Sequence, residues 1–188
     1  MGEPKGLLEL DGRTFLSRTV SALVEGGCDP VFVVVAVDEK ELAAEAARAG
    51  AVVVENLAPG EGPITSLRLV LTLLDSTVAG LAYLPVDHPM VRPETVSTLL
   101  QTARTKNALL TIPMIGDKRG HPALFSASLF SELSDLSLEG GARTVVHRHL
   151  EKATQLQVED PGILVDVDTP EAYRALNNTL GSNSEGAR

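Results

Sequence analysis

Two aspartates stand where a sheet of parallel strands would present groups to a ligand. Asp87 directly follows Leu84-Pro85-Val86, and Asp166 lies within Leu164-Val165-Asp166-Val167-Asp168-Thr169-Pro170. Each ends or interrupts a short apolar run that reads as a strand, and open α/β sheets bind ligands beyond the carboxyl ends of their strands. A converging carboxylate pair there suits Mg²⁺ held against nucleotide phosphates, because this hard cation takes oxygen ligands and often only one or two from protein. Capping is the plainer alternative: Asp87 before a turn at Pro89, and Asp166 or Asp168 at the start of a helix beginning at Pro170. Glu171, three residues after Asp168, gives the capping-box spacing to Asp168 rather than to Asp166.

Other candidates are individually weaker. Asn56-Leu-Ala-Pro-Gly60-Glu-Gly62-Pro-Ile-Thr65-Ser66 joins a strand to a helix, and its backbone N–H groups and hydroxyls can approach a nucleotide. Neither Walker nor Rossmann spacing is present, and simple loop flexibility is the commoner explanation of two such glycines. His121, in Gly120-His121-Pro122, precedes a short strand and either meets a substrate or forms a turn. His88, His147 and His149 show no metal-ligand spacing with one another. Arg143 follows Gly140-Gly141 at a helix start, where the dipole disfavours a cation, so an anion is one reason for it and ordinary exposure another.

The elements that must position these residues alternate along the chain. Leu16, Val20, Leu23 and Val24 recur at helical spacing before Gly26-Gly27. Val31–Ala36 and Ala51–Glu55 read as buried strands around a helix starting at Asp38 and Glu41 and ending at Gly50. Leu67, Val70, Leu71 and Leu74 mark the next helix, Leu81–Val86 a strand, and Pro93 opens a helix with Val96, Leu99 and Leu100. Strand signals recur at Ala108–Ile112, Pro122–Phe125, Leu156–Val158 and Ile163–Val167, separated by helices near Leu129–Leu133 and Ala142–Leu150. The pattern predicts one three-layer α/β/α domain over residues 1–180 with a mostly parallel sheet, and a frayed tail over 181–188.

Composition excludes several classes. With 16 Lys and Arg against 25 Asp and Glu, the net charge of −9 argues against nonspecific grip on nucleic acid, which needs clustered cations. At 188 residues and 44% hydrophobic content the chain can bury a core. Cys28 is the single cysteine, which excludes an internal disulfide and a Cys-built metal site. The longest apolar run, Val31–Val37, is far short of the roughly 20 residues of a membrane span, so a cytoplasmic protein is expected.

Taken in order, these segments resemble the MobA-like NTP transferases of molybdenum-cofactor biosynthesis, especially the molybdopterin cytidylyltransferase branch. The resembling pieces are Met1-Gly-Glu-Pro-Lys5 with Gly-Leu-Leu-Glu-Leu, Asn56 through Ser66, Leu84-Pro-Val-Asp87-His-Pro89, Gly120-His-Pro-Ala-Leu-Phe125, Gly141-Ala-Arg143 and Val165-Asp-Val-Asp-Thr-Pro-Glu171. The resemblance implies a nucleotide-diphospho-sugar transferase-like fold and Mg²⁺-dependent transfer of CMP from CTP to molybdopterin or a related phosphorylated acceptor, with release of pyrophosphate. Guanylyl transfer and a catalytically inactive nucleotide- or cofactor-binding protein are its alternatives. It assigns Lys5 to the triphosphate, Asp87 and Asp166 to the metal, Asn56, Gly60, Gly62 and Ser66 to the nucleotide, and His121 and Arg143 to the acceptor. Molybdoenzyme maturation proteins are the implied partners.

The chain also departs from that pattern. The family opens with a buried strand and a loop of the form Leu-Ala-Ala-Gly-x-Ser-x-Arg-Met-Gly, and here Met1-Gly2 match only its last two residues. The expectation is that Met1 is internal to a longer natural chain. A central strand between residues 31–36 and 80–86 is then missing. The family's Gly-Asp before Gly-Ala-Arg is also replaced, by Glu139-Gly140.

Overall fold

A computed structural model describes residues 4–185; Met1 and Gly2 lie outside them. After a 3-10 turn at Lys5–Leu7, β1 (Glu9–Leu10) and β2 (Arg13–Thr14) form a tight hairpin. Its Asp11-Gly12 turn takes φ of 52° and 71°, the double positive φ for which Asp-Gly is the ordinary sequence signature. Helix α1 (Phe15–Glu25) starts where Thr14 Oγ1 accepts from the Ser17 N–H at 3.0 Å. It ends at Gly26-Gly27, where Gly27 has a φ of 97°.

Strands β3 (Phe32–Ala36) and β4 (Val52–Asn56) run parallel around α2 (Lys40–Arg48). Glu39 rather than Asp38 occupies the start of α2, and its carboxylate accepts from the Ala36 N–H at 3.1 Å. Next come α3 (Pro63–Leu73), β5 (Gly80–Tyr83) and α4 (Pro93–Lys106), the last closed by Asn107 in the left-handed region. The second half contributes β6 (Leu110–Ile115), β7 (Lys118–Arg119), β8 (Ala123–Ser126), α5 (Phe130–Ser134), α6 (Ala142–His149), β9 (Thr154–Gln157) and α7 (Pro170–Glu185). Helix α7 runs to Glu185, past residue 180, where a frayed tail was expected to begin. Residues 186–188 lie outside the described part. No helix among the described residues is long and apolar enough to cross a membrane.

The α/β architecture agrees with the sequence reading, but the pairing is mixed rather than mostly parallel. β3 and β4 form their own parallel pair, while β5-β8-β6-β7 are joined antiparallel and β9 pairs parallel with β6. Leu67, Leu110, Ile112, Phe125, Leu133 and Val145 form one buried cluster, and Leu16, Val20, Val31 and Ala46 another. A third joins Leu10, Phe15 and Val167, with Tyr173 edge-on to Phe15 at 5.9 Å. Burying each Leu, Ile, Val or Phe side chain among them contributes about 1.5–3 kcal/mol.

Two sequence expectations meet the structure at specific places. Ile163–Val167 is not a strand: Pro161–Leu164 forms a 3-10 turn, and the chain then crosses the molecule without joining a ladder. Asp160 causes the turn, because its buried carboxylate accepts from the N–H of Gly162 at 3.0 Å and of Arg92 at 2.9 Å and from the Thr95 hydroxyl at 2.7 Å. Gly162 packs so closely on the Met90 carbonyl that a Cβ would lie 2.0 Å from it. The second place is the gap expected between residues 31–36 and 80–86. A largely apolar cavity of about 760 Å³ lies there, lined by residues 31–34 on one side and 79–86 on the other.

Candidate active site

The non-strand course of residues 165–168 is what assembles the site. The Val167 N–H donates to the Asp87 carbonyl at 3.0 Å, which lays the 165–168 segment against the loop after β5. Asp87, His88 and Asp166 thereby bring one potential ligand atom each within 4.8 Å of one another. Lys5 approaches from the N-terminal turn: its ammonium lies 3.8 Å from Asp87 Oδ2 and donates to Asp168 Oδ1. The two aspartates near the end of the chain thus divide, Asp166 toward Asp87 and His88, Asp168 toward Lys5. Neither caps α7; the Thr169 hydroxyl does, accepting from the Ala172 N–H at 3.1 Å.

The electrostatics follow from this crowding. A hydrogen bond from His88 Nδ1, 3.0 Å from Asp87 Oδ1, holds the half-buried Asp87 carboxyl below the usual range, against the effect of its own burial and with help from Lys5. Asp166 moves the other way, raised by partial desolvation and then by the like charges of Asp87 and Asp168. The hydrogen bond to Asp168 raises Lys5 and keeps it charged. His121 packs edge-on against His88 at 4.5 Å between ring centroids and lies near Tyr83. Burial, and then His88, push its imidazole down to about 4, and its Nδ1 is buried without a partner. His121 therefore belongs to the carboxylate cluster as a neutral ring.

The Asn56–Ser66 loop is built differently from the sequence expectation. Asn56 is buried and donates to Thr65 Oγ1 at 2.9 Å and Ser66 Oγ at 3.2 Å, while its Oδ1 accepts from the Ala58 N–H at 2.8 Å. Its side chain fastens the loop to the first turn of α3. Gly60 falls in a 3-10 turn at Pro59–Glu61, and Gly62 takes a φ of 93° immediately before Pro63, a conformation that a side chain would oppose. Arg143 is exposed in the first turn of α6, and its guanidinium meets His147 at 3.4 Å rather than the carboxylates. The start of α6 instead borders α3, where a Cβ on Gly141 would come within 3.3 Å of Ile64.

His88 is the member that sequence reasoning missed. Its adjacency to Asp87 was visible, but the partner that makes a cluster, Asp166, is distant in sequence. Two carboxylates and an imidazole within reach of one point form a donor set that accepts a divalent cation.

The MobA-like NTP transferase domain model matches residues 1–153. The chain belongs to this family. Asp166 and Asp168 lie beyond the matched segment, so their place beside Asp87 comes from the fold alone. A probable molybdenum cofactor guanylyltransferase of Mycolicibacterium paratuberculosis is 29% identical over 167 residues, covering 87% of this chain and 80% of that protein. A protein of Mycobacterium tuberculosis H37Rv solved in complex with manganese is 29% identical, with a TM-score of 0.73 over 94% of this chain and 93% of the other. The molybdopterin-guanine dinucleotide biosynthesis protein A of Archaeoglobus fulgidus shares the fold, with 20% identity and a TM-score of 0.68 over 96% and 92% of the two chains. The nucleotide-diphospho-sugar transferase fold and the nucleotidyltransferase family of this MobA-like chain are therefore established.

Proposed function

We propose that this MobA-like protein transfers GMP from GTP to the phosphate of a molybdopterin-type acceptor, releasing pyrophosphate. The observation that carries the reading is the convergence of Lys5, Asp87, His88 and Asp166 beyond the carboxyl end of β5. Two relatives named as probable molybdenum cofactor guanylyltransferases support guanine over the cytosine expected from Gly120-His121-Pro122.

In this reading a phosphate oxygen of the acceptor attacks the α-phosphorus of GTP. A new phosphorus–oxygen bond forms, and the bond to the oxygen bridging the α- and β-phosphates breaks. Pyrophosphate leaves with that bond's electron pair. Such a transfer needs in-line positioning and charge neutralisation, and it needs no protein nucleophile. Asp87, His88 and Asp166 would hold a divalent cation, Mg²⁺ or the manganese found with the mycobacterial relative. A cation bound there supplies positive charge to the phosphate oxygens.

Lys5 supplies a second, fixed positive charge to the triphosphate, exchanging its Asp168 partner for phosphate oxygen. Gly62 and Ser66 border the nucleotide, with Gly60 in the same loop and Asn56 holding that loop in shape. His121, neutral and buried, packs edge-on against His88 and fixes the ring of that ligand on the acceptor side. Arg143, on the exposed first turn of α6, is free to meet the acceptor phosphate.

The test is pyrophosphate release from GTP, CTP, ATP and UTP in turn, with molybdopterin and Mg²⁺ or Mn²⁺. Release that requires acceptor and is fastest with GTP is the expected result. Faster release with CTP would restore the cytidylyl assignment. Absence of release with all four nucleotides, despite nucleotide-dependent thermal stabilisation, would indicate a binding protein.

A further inference from the structure

Among the described residues, the exposed Arg119 side chain on β7 has no hydrogen-bond or ion-pair partner. Other exposed arginines of this acidic chain are engaged: Arg48 with Glu45, Arg148 with Glu132 and Arg174 with Glu171. The strand that carries Arg119 is nevertheless tied down. β7 returns on β6 through a turn at Gly116, and Gln157, at the end of β9, holds that turn by both backbone groups of one residue. Its Nε2 donates to the Gly116 carbonyl at 2.8 Å, and its Oε1 accepts from the Gly116 N–H at 3.1 Å. Just past Arg119, the Gly120 N–H donates to the Pro113 carbonyl at 3.0 Å.

Register fixes the face on which Arg119 stands. Arg119 is directly opposite Met114, and opposed residues share a face of the sheet. Alternation along β6 puts Met114, Ile112 and Leu110 on that face; Leu110 pairs with Phe125 of β8, and Ala123 of β8 pairs with Tyr83 of β5. Arg119 and Tyr83 therefore share it. β5 and β6 both run antiparallel to β8 and so point the same way. Arg119 thus lies at the carboxyl end of β6, as Asp87 lies beyond the carboxyl end of β5. His121, two residues after Arg119, packs edge-on against Tyr83 at 6.3 Å and His88 at 4.5 Å. Lys118, opposite Ile115, belongs to the other face. The Asn56–Ser66 loop follows β4, across the cavity from β5, whereas β7 lies beyond β8 and β6. Arg119 and that loop therefore flank Asp87 from opposite sides.

We propose that Arg119 binds the phosphate monoester of the acceptor and is a specificity-determining residue of the transfer, with Gln157 as the positioning residue that holds its hairpin. That this phosphate belongs to an acceptor rests on the transfer proposed for the site. A guanidinium presents a fork of N–H donors that matches two phosphate oxygens at once. A phosphate dianion approaching Asp87 and Asp166 meets like charge. Arg119 supplies the compensating charge from the side away from the nucleotide loop and leaves the third oxygen free to attack.

The experiment measures molybdopterin binding to the 188-residue chain by calorimetry without nucleotide, then the KM for molybdopterin and for GTP during transfer. Arg119→Met is expected to weaken molybdopterin binding and raise its KM by about tenfold or more, the scale of a lost charge-assisted hydrogen bond. The kcat and the KM for GTP should stay unchanged, because the contact is made equally before and during the reaction. Arg119→Lys should recover part of the loss, since it keeps the charge without the fork. Gln157→Ala should raise the molybdopterin KM in the same direction. Lys118→Met removes an equal charge from the opposite face and is expected to change nothing. Equal weakening in Arg119→Met and Lys118→Met would show long-range attraction alone and would overturn the proposal. So would unchanged binding in Arg119→Met, a GTP KM that rises as much as that of molybdopterin, or a wild-type chain that binds no molybdopterin. Arg119-dependent binding with no product formed would count against the transfer and keep the phosphate site. Product formed by Arg119→Met at an unaltered molybdopterin KM would do the reverse.

Discussion

The Lys5 ammonium lies 3.8 Å from the Asp87 carboxylate and simultaneously donates to Asp168, tying the first described turn to the segment that precedes the last helix. This places one fixed cation at the mouth of a three-carboxylate cluster. Lys5→Met is expected to lower GTP turnover by about 100-fold, the scale of losing one charge-stabilising donor. Its effect on stability should stay within about 1 kcal/mol, because the side chain is 34% exposed and partly screened. Steady-state kinetics beside thermal unfolding separates the two effects. A large loss of Tm would show that Lys5 is structural.

Divalent binding provides an independent check on Asp87. Asp87→Asn is expected to weaken Mn²⁺ binding, measured by the free-ion paramagnetic resonance signal, by more than the roughly 10–100-fold that loss of a supporting group costs at metal sites. Asp166→Asn and His88→Gln should weaken it in the same direction. Asp168→Asn should leave it nearly unchanged, because Asp168 pairs with Lys5. Equal Mn²⁺ affinity in wild type and Asp87→Asn would remove Asp87 from the site.

His121 predicts a pH dependence of stability. Its imidazole is depressed to about 4, below the ordinary 6.5, so the unfolded chain binds a proton between these values that the folded protein does not. The contribution is fully present above pH 6.5 and is lost as pH falls toward 4; at full effect it is about 3 kcal/mol. Urea unfolding between pH 4 and 7 in wild type and His121→Asn reads it directly. The variant should show a flatter slope over that window.

Asn56 acts through the loop it fastens. Asn56→Ala breaks its contacts to Thr65, Ser66 and Ala58 and leaves buried groups unpaired, which costs about 1–3 kcal/mol. The KM for nucleotide should rise, because Gly62 and Ser66 are no longer held. Calorimetry and nucleotide titration on the same variant measure both effects.

Asp160 separates structure from chemistry. Asp160→Ala removes the acceptor for Arg92, Thr95 and Gly162 in a buried setting, and a loss of about 3 kcal/mol in unfolding free energy is expected. Asp160→Asn should recover part of that loss.

Much of this arrangement was legible from local chemistry. Gly26-Gly27, Pro93 and the β-branched runs mark element ends that the structure keeps within a residue or two. Asp87 follows the apolar run that marks β5 and lies in the loop beyond that strand. Two of the differences, at Ile163–Val167 and at Asp166, depend on partners far along the chain. Ile163–Val167 has strand composition, yet buried Asp160 and the close approach of Gly162 to Met90 turn it out of the sheet. Capping-box spacing set Asp168 apart from Asp166 in the sequence, but their partners, Lys5 and the Asp87–His88 pair, lie far away along the chain. Asn56 carried the polarity of a ligand-binding residue but spends its hydrogen bonds on its own loop. The Asp11-Gly12 turn signature alone marks the first hairpin, with no distant partner needed.

Product analysis reads the proposed transfer of a nucleoside monophosphate at the Lys5–Asp87–Asp166 cluster without intermediaries. GTP labelled at the α-phosphorus is incubated with the protein, molybdopterin and Mn²⁺, and the products are separated and weighed by mass spectrometry. Label is expected to move to a molybdopterin-guanine dinucleotide with one pyrophosphate released per transfer, and Asp87→Asn is expected to abolish the transfer. Label remaining in GTP, with wild type folded and nucleotide bound, would rule out transfer at this cluster.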